Sequence, residues 1–428
     1  MSGGLYGGDE VGALVFDFGS HTVRAGYAGD EYPKVDIPSV VGIQESTDVE
    51  MKDGSGGATI GQERKIFIGT TKVVVPRENC EIKTFMKDSM VENWDLFENM
   101  LDHIYGNALV AQSEFHPALF TEPAWNDRAK REKLCEIMME KYKLPAFHLV
   151  KNAVLTAFAN GRTHGLVVDS GSTHTSAIPV FEGYCITHAV VRSPVGGDLI
   201  ADQLKKLLES QNIDLVPTYK IASKEEVTEG ESPRWVEKKN LPKVTQSYDE
   251  FMKKLILEDM AMSVLQLCDS PVEDEFVEKL PSAPYGFPDG RIKEFLGDRV
   301  KVPEGLFDLN YLRDVVGKDS LMNVSHITNT SCGMCDIDMR SSLYSNLLVT
   351  GGNSLLLGFS ERLNHDLAHK CPPTVKLRVA AAPTPMERRF GAWIGGSILA
   401  SLGSFQQMWV SQAEYNESGS GIVEKKCP

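Results

Sequence analysis

The stretch Ala13-Leu14-Val15-Phe16-Asp17-Phe18-Gly19-Ser20 is an apolar run that breaks into Asp-x-Gly-Ser, and Gly165-Leu166-Val167-Val168-Asp169-Ser170-Gly171-Ser172 repeats the pattern. Four apolar residues in a row read as a strand buried on both faces. A turn opening on Asp-x-Gly-Ser makes a tight hairpin whose backbone N–H groups can converge on a phosphate. One copy is a weak signal. Two copies predict a duplicated domain, with two phosphate-gripping hairpins facing each other across one cleft. The alternation Thr22-Val23-Arg24-Ala25-Gly26-Tyr27 supplies the return strand of the first hairpin.

Around these hairpins the chain of 428 residues has room for two or more cored domains. A net charge of −15 argues against direct binding to the DNA backbone, which takes a concentrated basic surface. The pairs Lys205-Lys206, Lys238-Lys239, Lys253-Lys254 and Lys425-Lys426 are isolated and read as solvated faces. Met1–Gly12 is Gly-rich and carries Asp9 and Glu10, the reverse of a secretory leader. The uncharged stretch Phe390–Ala413 is too rich in Gly, Ser and Gln to span a bilayer and reads as packed helix and turn. The expectation is a soluble, intracellular protein without membrane contact. Cys332-Gly333-Met334-Cys335 has ligand-like spacing but no second pair, so both cysteines read as buried or half-buried thiols leading into a strand.

Along the chain, residues 44–65 turn polar and Gly-rich around Lys52-Asp53-Gly54-Ser55-Gly56-Gly57 and read as a mobile excursion or small subdomain. Asn126 is placed to cap a helix carrying Leu134, Ile137 and Met138 on one face. A second helix, Asn152–Asn160, stops at Gly161 and leads into the second hairpin, so it should cross the floor between the two halves. After Gly196-Gly197-Asp198, a helix has Leu199, Ile200, Leu204, Leu207 and Leu208 at core spacing. Residues 223–243 read as an inserted surface loop, Phe251–Leu267 as helix, and Pro281–Asp308 as a Pro- and Gly-rich stretch. Leu347-Leu348-Val349-Thr350-Gly351-Gly352-Asn353-Ser354 is a third break from strand to turn, of the kind that holds the nucleoside end of a ligand.

The blocks Arg24–Asp30, Arg131-Glu132-Lys133, Met334–Arg340, Trp393–Leu402, Phe405–Trp409 and Lys426-Cys427-Pro428 resemble segments of the actin family, within the actin, hexokinase and heat-shock chaperone ATPase superfamily. The opening Tyr6–Gly12, the string Ala153–Arg162 and the segment Ile221–Glu225 resemble its nuclear, actin-like 6 branch more than conventional actin. The resemblance implies an α/β actin fold, two duplicated ribonuclease-H-like domains forming four subdomains around a nucleotide cleft. It implies a small domain of residues 1–160 plus 387–428, with subdomain 2 at about 39–83. The large domain would be 161–386, with subdomain 4 at about 196–315. It further implies ATP with Mg²⁺ in the cleft. The role implied is a nuclear structural subunit of SWI/SNF-type chromatin-remodelling and of histone-acetyltransferase complexes. There the chain would pair with actin on a helical segment of the remodeller ATPase subunit, beside other subunits of those complexes.

Carried over residue by residue, the resemblance assigns nucleotide contacts to Asp17, Gly19, Ser20, Arg24, Asp169, Ser170, Gly171, Gly196, Gly351, Gly352, Asn353 and Arg389. Asp17 and Asp169 would hold the metal through water. Arg24 replaces a phosphate-reaching lysine and is bulkier and forked; His21 replaces a loop glycine, which predicts a looser turn; Leu356 replaces a tyrosine at the adenosine turn. The hydrolytic groups fare worse. Asn152 stands for a water-positioning glutamine, Ser172 for the second carboxylate and Ser176 for a histidine. The expectation is a cleft that binds ATP with little or no hydrolysis, and no catalytic residues. Residues 44–65 and Asn310–Asn323 bear little resemblance to the filament contacts of actin: the latter offers Arg313, Asp314, Lys318 and Asp319 where actin has an apolar plug. That favours a scaffold over the alternative, a polymerising cytoskeletal ATPase. A sugar or metabolite kinase is disfavoured, because no cleft carboxylate is free to act as general base.

Overall fold

The computed structural model describes residues 12–52 and 58–428, with side chains described outside 46–52 and 58–63. Two similar sheets organise the chain. In the first, β1 (Leu14–Phe18) pairs antiparallel with β2 (Thr22–Tyr27), which pairs with β3 (Val35–Pro38). On its other side β1 runs parallel to β4 (Ala118–Glu122), then β5 (Ala146–Lys151), and the short strand Val410–Ser411 closes the edge. Leu14, Val15 and Phe16 have no exposed surface, because helices cover both faces of the central strand. Phe16 stacks on Phe120 of β4 with ring centroids 4.6 Å apart.

Between the sheets runs α1 (Asn152–Ala159), ended by Asn160 and by Gly161 at φ +66°. The second sheet repeats the plan: β6 (Gly165–Ser170) and β7 (Thr175–Phe181) form the hairpin, and β6 runs parallel to β8 (Leu347–Thr350), which pairs with β9 (Val379–Ala381). Two helices flank the site from this side, α2 (Gly197–Ser210) and α3 (Gln246–Val264). The last long helix, α4 (Pro385–Ser401), starts at a capping box between Thr384 and Glu387.

The floor is the contact of α1 with α4. Leu155 packs with Val15, Leu119 and Trp393, while Ala153 and Ala157 pack with Val167, Ile178 and Leu348 of the second sheet. A Cβ on Gly395 would lie 1.9 Å from the Leu155 carbonyl oxygen, so only glycine permits this close crossing. The Trp393 indole, wholly buried, donates to the Val15 carbonyl at 3.0 Å.

Several readings need correction. The helix after Asn126 begins at Arg128; Asn126 spends its amide on Glu122 at 2.9 Å and does not cap it. Cys332 lies within the helix Val324–Met334, and the helix Ile337–Ser345 follows Cys335, so no strand follows these buried thiols. Residues 44–65 fall in two paired strands, Val40–Lys52 and Ala58–Phe67, while 53–57 lie outside the described residues. The 223–243 insertion carries a hairpin, Ile221–Glu225 with Arg234–Glu237, and 281–308 holds another, Ala283–Gly286 with Ile292–Phe295. Among the described residues no helix is long and apolar enough to cross a membrane.

The C-terminus is tied into the first half. Arg131 donates to the Cys427 carbonyl, to Glu424 at 2.5 Å and to Glu122 at 3.0 Å. Cys427 is fully buried, its Sγ 3.4 Å from His148 Nδ1. Burial, and then the Lys426 charge, push His148 down to about 4. A histidine depressed from its ordinary 6.5 stabilises the fold while neutral, and that stability is lost as pH falls from 6.5 through 4, on the order of 3 kcal/mol across the window. Melting temperature should therefore fall steeply between pH 6.5 and 4, and His148→Phe should flatten that slope.

Candidate functional site

The two hairpins face each other across a cleft of about 400 Å³. Asp17, Gly19, Ser20, Arg24, Asp169, Gly171, Gly351, Gly352, Asn353 and Arg389 all line it, as do Asn152 and Ser172. Of the remaining expected contacts, Ser170 is fully buried behind the wall, bonded to Thr175 at 2.8 Å. Gly196 sits against the second hairpin, where a Cβ would meet the Ser172 carbonyl at 2.6 Å; its neighbour Gly197 lines the cleft in its place.

His21 does not loosen the first turn. Gly19 N–H donates to the Thr22 carbonyl at 3.0 Å, and the Ser39 hydroxyl donates to the Gly19 carbonyl at 2.6 Å. The imidazole instead reaches across the cleft to Glu258 of α3, 3.5 Å away. The hairpin tips meet where Thr173 Oγ1 lies 3.4 Å from Ser20 Oγ. The third turn is locked to the second hairpin, since the Asn353 amide donates to the Gly171 carbonyl at 2.8 Å and to Ser170 Oγ at 3.1 Å. Gly351, at φ +90°, approaches so closely that a Cβ would lie 2.3 Å from the Ser170 carbonyl.

Charge is concentrated on the first-hairpin side. Asp17 accepts from Arg24 at 2.9 Å and from the Thr121 hydroxyl at 2.6 Å. Asp17 and Arg24 are register partners on β1 and β2, which brings the guanidinium to this carboxylate. Asp36 on β3 bridges Arg24 at 3.7 Å and Arg389 at 3.0 Å. Burial, then the facing charge of Asp17, raise Asp169 to about 6, with Arg24 opposing. Two acidic groups that repel each other across a half-closed cleft form a donor set suited to a hard cation and its waters.

Of the three residues read from the sequence as standing in hydrolytic positions, two are bonded within the protein and one lies off the cleft. The Ser172 hydroxyl donates to Asp198 at 2.7 Å, and Lys254 holds that carboxylate at 2.7 Å. Asn152 Oδ1 accepts from the Ala153 N–H at 2.8 Å, folding the amide back onto its own helix. Ser176 is buried with its hydroxyl unpartnered and does not line the cleft. Two residues earlier on the same hairpin, His174 does line it; burial pushes it to about 4, so it is neutral near pH 7. Its ring sits edge-on to Trp125, centroids 4.8 Å apart.

A model of the family described as actin matches residues 8–428. The chain belongs to the actin family. Relatives named Actin-related protein 4 are 40% identical in Arabidopsis thaliana over 446 residues, 99% of this chain and all of the relative. A second of that name, from Yarrowia lipolytica, is 37% identical over 426 residues, 99% of this chain and 97% of its own. The actin fold generally binds ATP with Mg²⁺. The cleft described above fits that group: both Asp-x-Gly-Ser turns line it, the Gly351 turn closes on the second hairpin with no room for a side chain, and two carboxylates repel each other across it.

Sequence reasoning missed the wall contributed from α2 and α3, namely Ile200, Ala201, Glu258, Ala261 and Met262, and also Thr121 and His174. Helix positions carry no motif, so only their helical spacing with core leucines could have flagged them.

Proposed function

We propose that the chain is a non-catalytic, actin-related structural subunit of nuclear chromatin-remodelling complexes of the SWI/SNF type and of histone-acetyltransferase complexes, and that it holds ATP with Mg²⁺ with little or no hydrolysis. One observation carries the reading: both Asp-x-Gly-Ser hairpins line the cleft, while Ser172 Oγ is bonded to Asp198, Asn152 Oδ1 is bonded to the Ala153 N–H, and Ser176 lies outside the lining. Asp17 and Asp169 would hold the metal through water, and Gly351, Gly352 and Asn353 the nucleoside end. The bound cation would neutralise phosphate charge and let the two carboxylates ionise together. Arg24, clamped between Asp17 and Asp36, contributes a fixed positive wall. The division into a small domain of 1–160 with 387–428 and a large domain of 161–386 belongs to the same reading.

For partners, we infer actin and a helical segment of the remodeller ATPase subunit, with other subunits beside them. A second cleft supports this: Tyr32, Ala159, Ile394 and Ile398 line it with Asp30, Glu31 and Glu387. An apolar floor with acidic residues around it suits an amphipathic helix with basic flanks. Filament formation fits less well. In the 310–323 segment, Gln203 brackets the Arg313 backbone, accepting at 2.7 Å and donating at 3.0 Å. This holds the loop on α2. Sequence reading did not anticipate Val316 in it, which is fully exposed.

ATP with Mg²⁺ should raise the melting temperature by several degrees at a hundredfold excess over Kd, where mass action stabilises the native state by about 2.7 kcal/mol. Asp17→Ala should remove most of that shift. No shift at millimolar ATP contradicts the binding reading.

A further inference from the structure

Beyond the C-terminal end of α3, three pairs of adjacent apolar residues each split between core and solvent. Phe295 ends the strand Ile292–Phe295 with its ring buried, so by strand alternation Leu296 points outward and is 60% exposed. Val277 packs into a small core with Cys268 and Val300, while its neighbour Phe276 is 52% exposed. Leu356 is buried, and Leu357 after it is 71% exposed. The fold gathers the three outward residues on one region of surface, with Gln266 as the common anchor. Gln266 bridges to Leu357, its N–H donates to the Arg299 carbonyl at 3.1 Å, and its side chain accepts from Arg299 Nη2 at 2.7 Å. The Arg299 N–H in turn donates to the Leu296 carbonyl at 3.3 Å. A Cβ on Gly297 would lie 2.4 Å from Val277 Cγ1, a close approach that brings the Phe276 and Leu296 backbones together. None of the three outward residues lines either cleft. Carboxylates frame the patch. Asp269, Glu273, Glu275 and Glu278 are exposed, and among the described residues none of them is in an ion pair, whereas Asp274 is held by Lys301 at 2.8 Å. Lys279 is the one cation in the 269–279 stretch.

We infer that this surface seats a basic segment of another protein, one that lays apolar side chains on Phe276, Leu296 and Leu357 and reaches the flanking carboxylates with lysine or arginine. Single exposed apolar residues are ordinary, but three brought together and rimmed by charge mark an interaction site. The unpaired carboxylates select the sign of the partner. A second copy of this chain is a poor occupant, because it would set the same carboxylates, and two net charges of −15, against each other. The Gln266–Arg299 brace holds the patch in shape before binding, so little ordering is lost on this side when the partner arrives. The surface serves whether or not the nucleotide cleft is filled.

The test is fluorescence anisotropy of a fluorescein-labelled amphipathic peptide built only of leucine and lysine, titrated with the full chain. An Ile398→Asp background takes the cleft at Ile398 out of the measurement. In that background Phe276→Ser/Leu296→Ser/Leu357→Ser should weaken binding roughly tenfold or more. The melting temperature should stay where it was, since all three side chains are exposed. Glu273→Lys/Glu275→Lys/Glu278→Lys should weaken binding as well, by a larger factor at low salt than at high salt. Natural affinity in both variants, or no saturable binding of the peptide to the Ile398→Asp protein, overturns the proposal. So does a natural chain that sediments as a dimer while the serine variant sediments as a monomer, because the occupant is then a second copy.

Discussion

Purified protein is expected to release phosphate from ATP at least a hundredfold more slowly than filamentous actin under identical conditions. A water attacking a γ-phosphate needs a group to aim it and charge to meet what develops in the transition state. In this cleft the aiming amide of Asn152 is one methylene shorter than glutamine and is bonded to the Ala153 N–H. The second carboxylate is replaced by Ser172, whose hydroxyl is given to Asp198. The imidazole position on β7 is Ser176, buried behind the wall. Losing one such contact costs roughly two to three powers of ten. These losses fall on the transition state more than on the ground state, so binding can persist while turnover disappears. His174 does not restore the missing group simply by lining the cleft: its ring is packed on Trp125 and its Nδ1 is 2.9 Å from Thr173 Oγ1. The double variant Asn152→Gln/Ser172→Asp, at the two positions that line the cleft, should gain phosphate release over the natural chain. A natural rate within about threefold of filamentous actin would remove the basis for calling the subunit non-catalytic.

Much of the fold was legible because its central strands are buried on both faces and so spell uninterrupted apolar runs. Leu14–Phe16 and Leu166–Val168 are such runs, and each ends at the Asp-x-Gly that the hairpin requires. The helix floor was legible from its stop at Gly161 and its lead into the second hairpin. What escaped depended on competition between partners. Asn126 has the chemistry of a helix cap, but Glu122 takes its amide. His21 looked too large for its turn, yet the turn is held by backbone bonds that leave the side chain free to cross to Glu258. The Cys332–Cys335 pair suggested a strand because cysteine and Gly333 carry little helical signal, yet Asn323 caps the helix that contains Cys332 by accepting from His326 N–H. In the site, both hairpins and the Gly351 turn were visible as motifs. The α2 and α3 wall was not, since its residues join the cleft only through tertiary packing between segments far apart in the chain.

The second large effect concerns assembly. Polymerisation through the 310–323 loop would bury it against a second copy, and a charge buried unpaired at such a contact costs several kcal/mol. The 310–323 loop presents Arg313, Asp314, Lys318 and Asp319 around the exposed Val316, where the resemblance to actin would put an apolar plug, and its backbone is fixed by Gln203 and Lys206. Against this, the acidic cleft around Ile394 and Ile398 and the net charge of −15 favour a basic amphipathic helix, with faster encounter at low salt. The chain should therefore assemble only with different partners. The measurement that tests this most directly brings the protein together with actin and an amphipathic, basic helix from a remodeller ATPase subunit, and reads size exclusion beside high-speed sedimentation of the protein alone in filament-promoting salt. The account predicts a 1:1:1 complex on the column and the lone protein in the supernatant; filaments of this chain by itself in the pellet would contradict it.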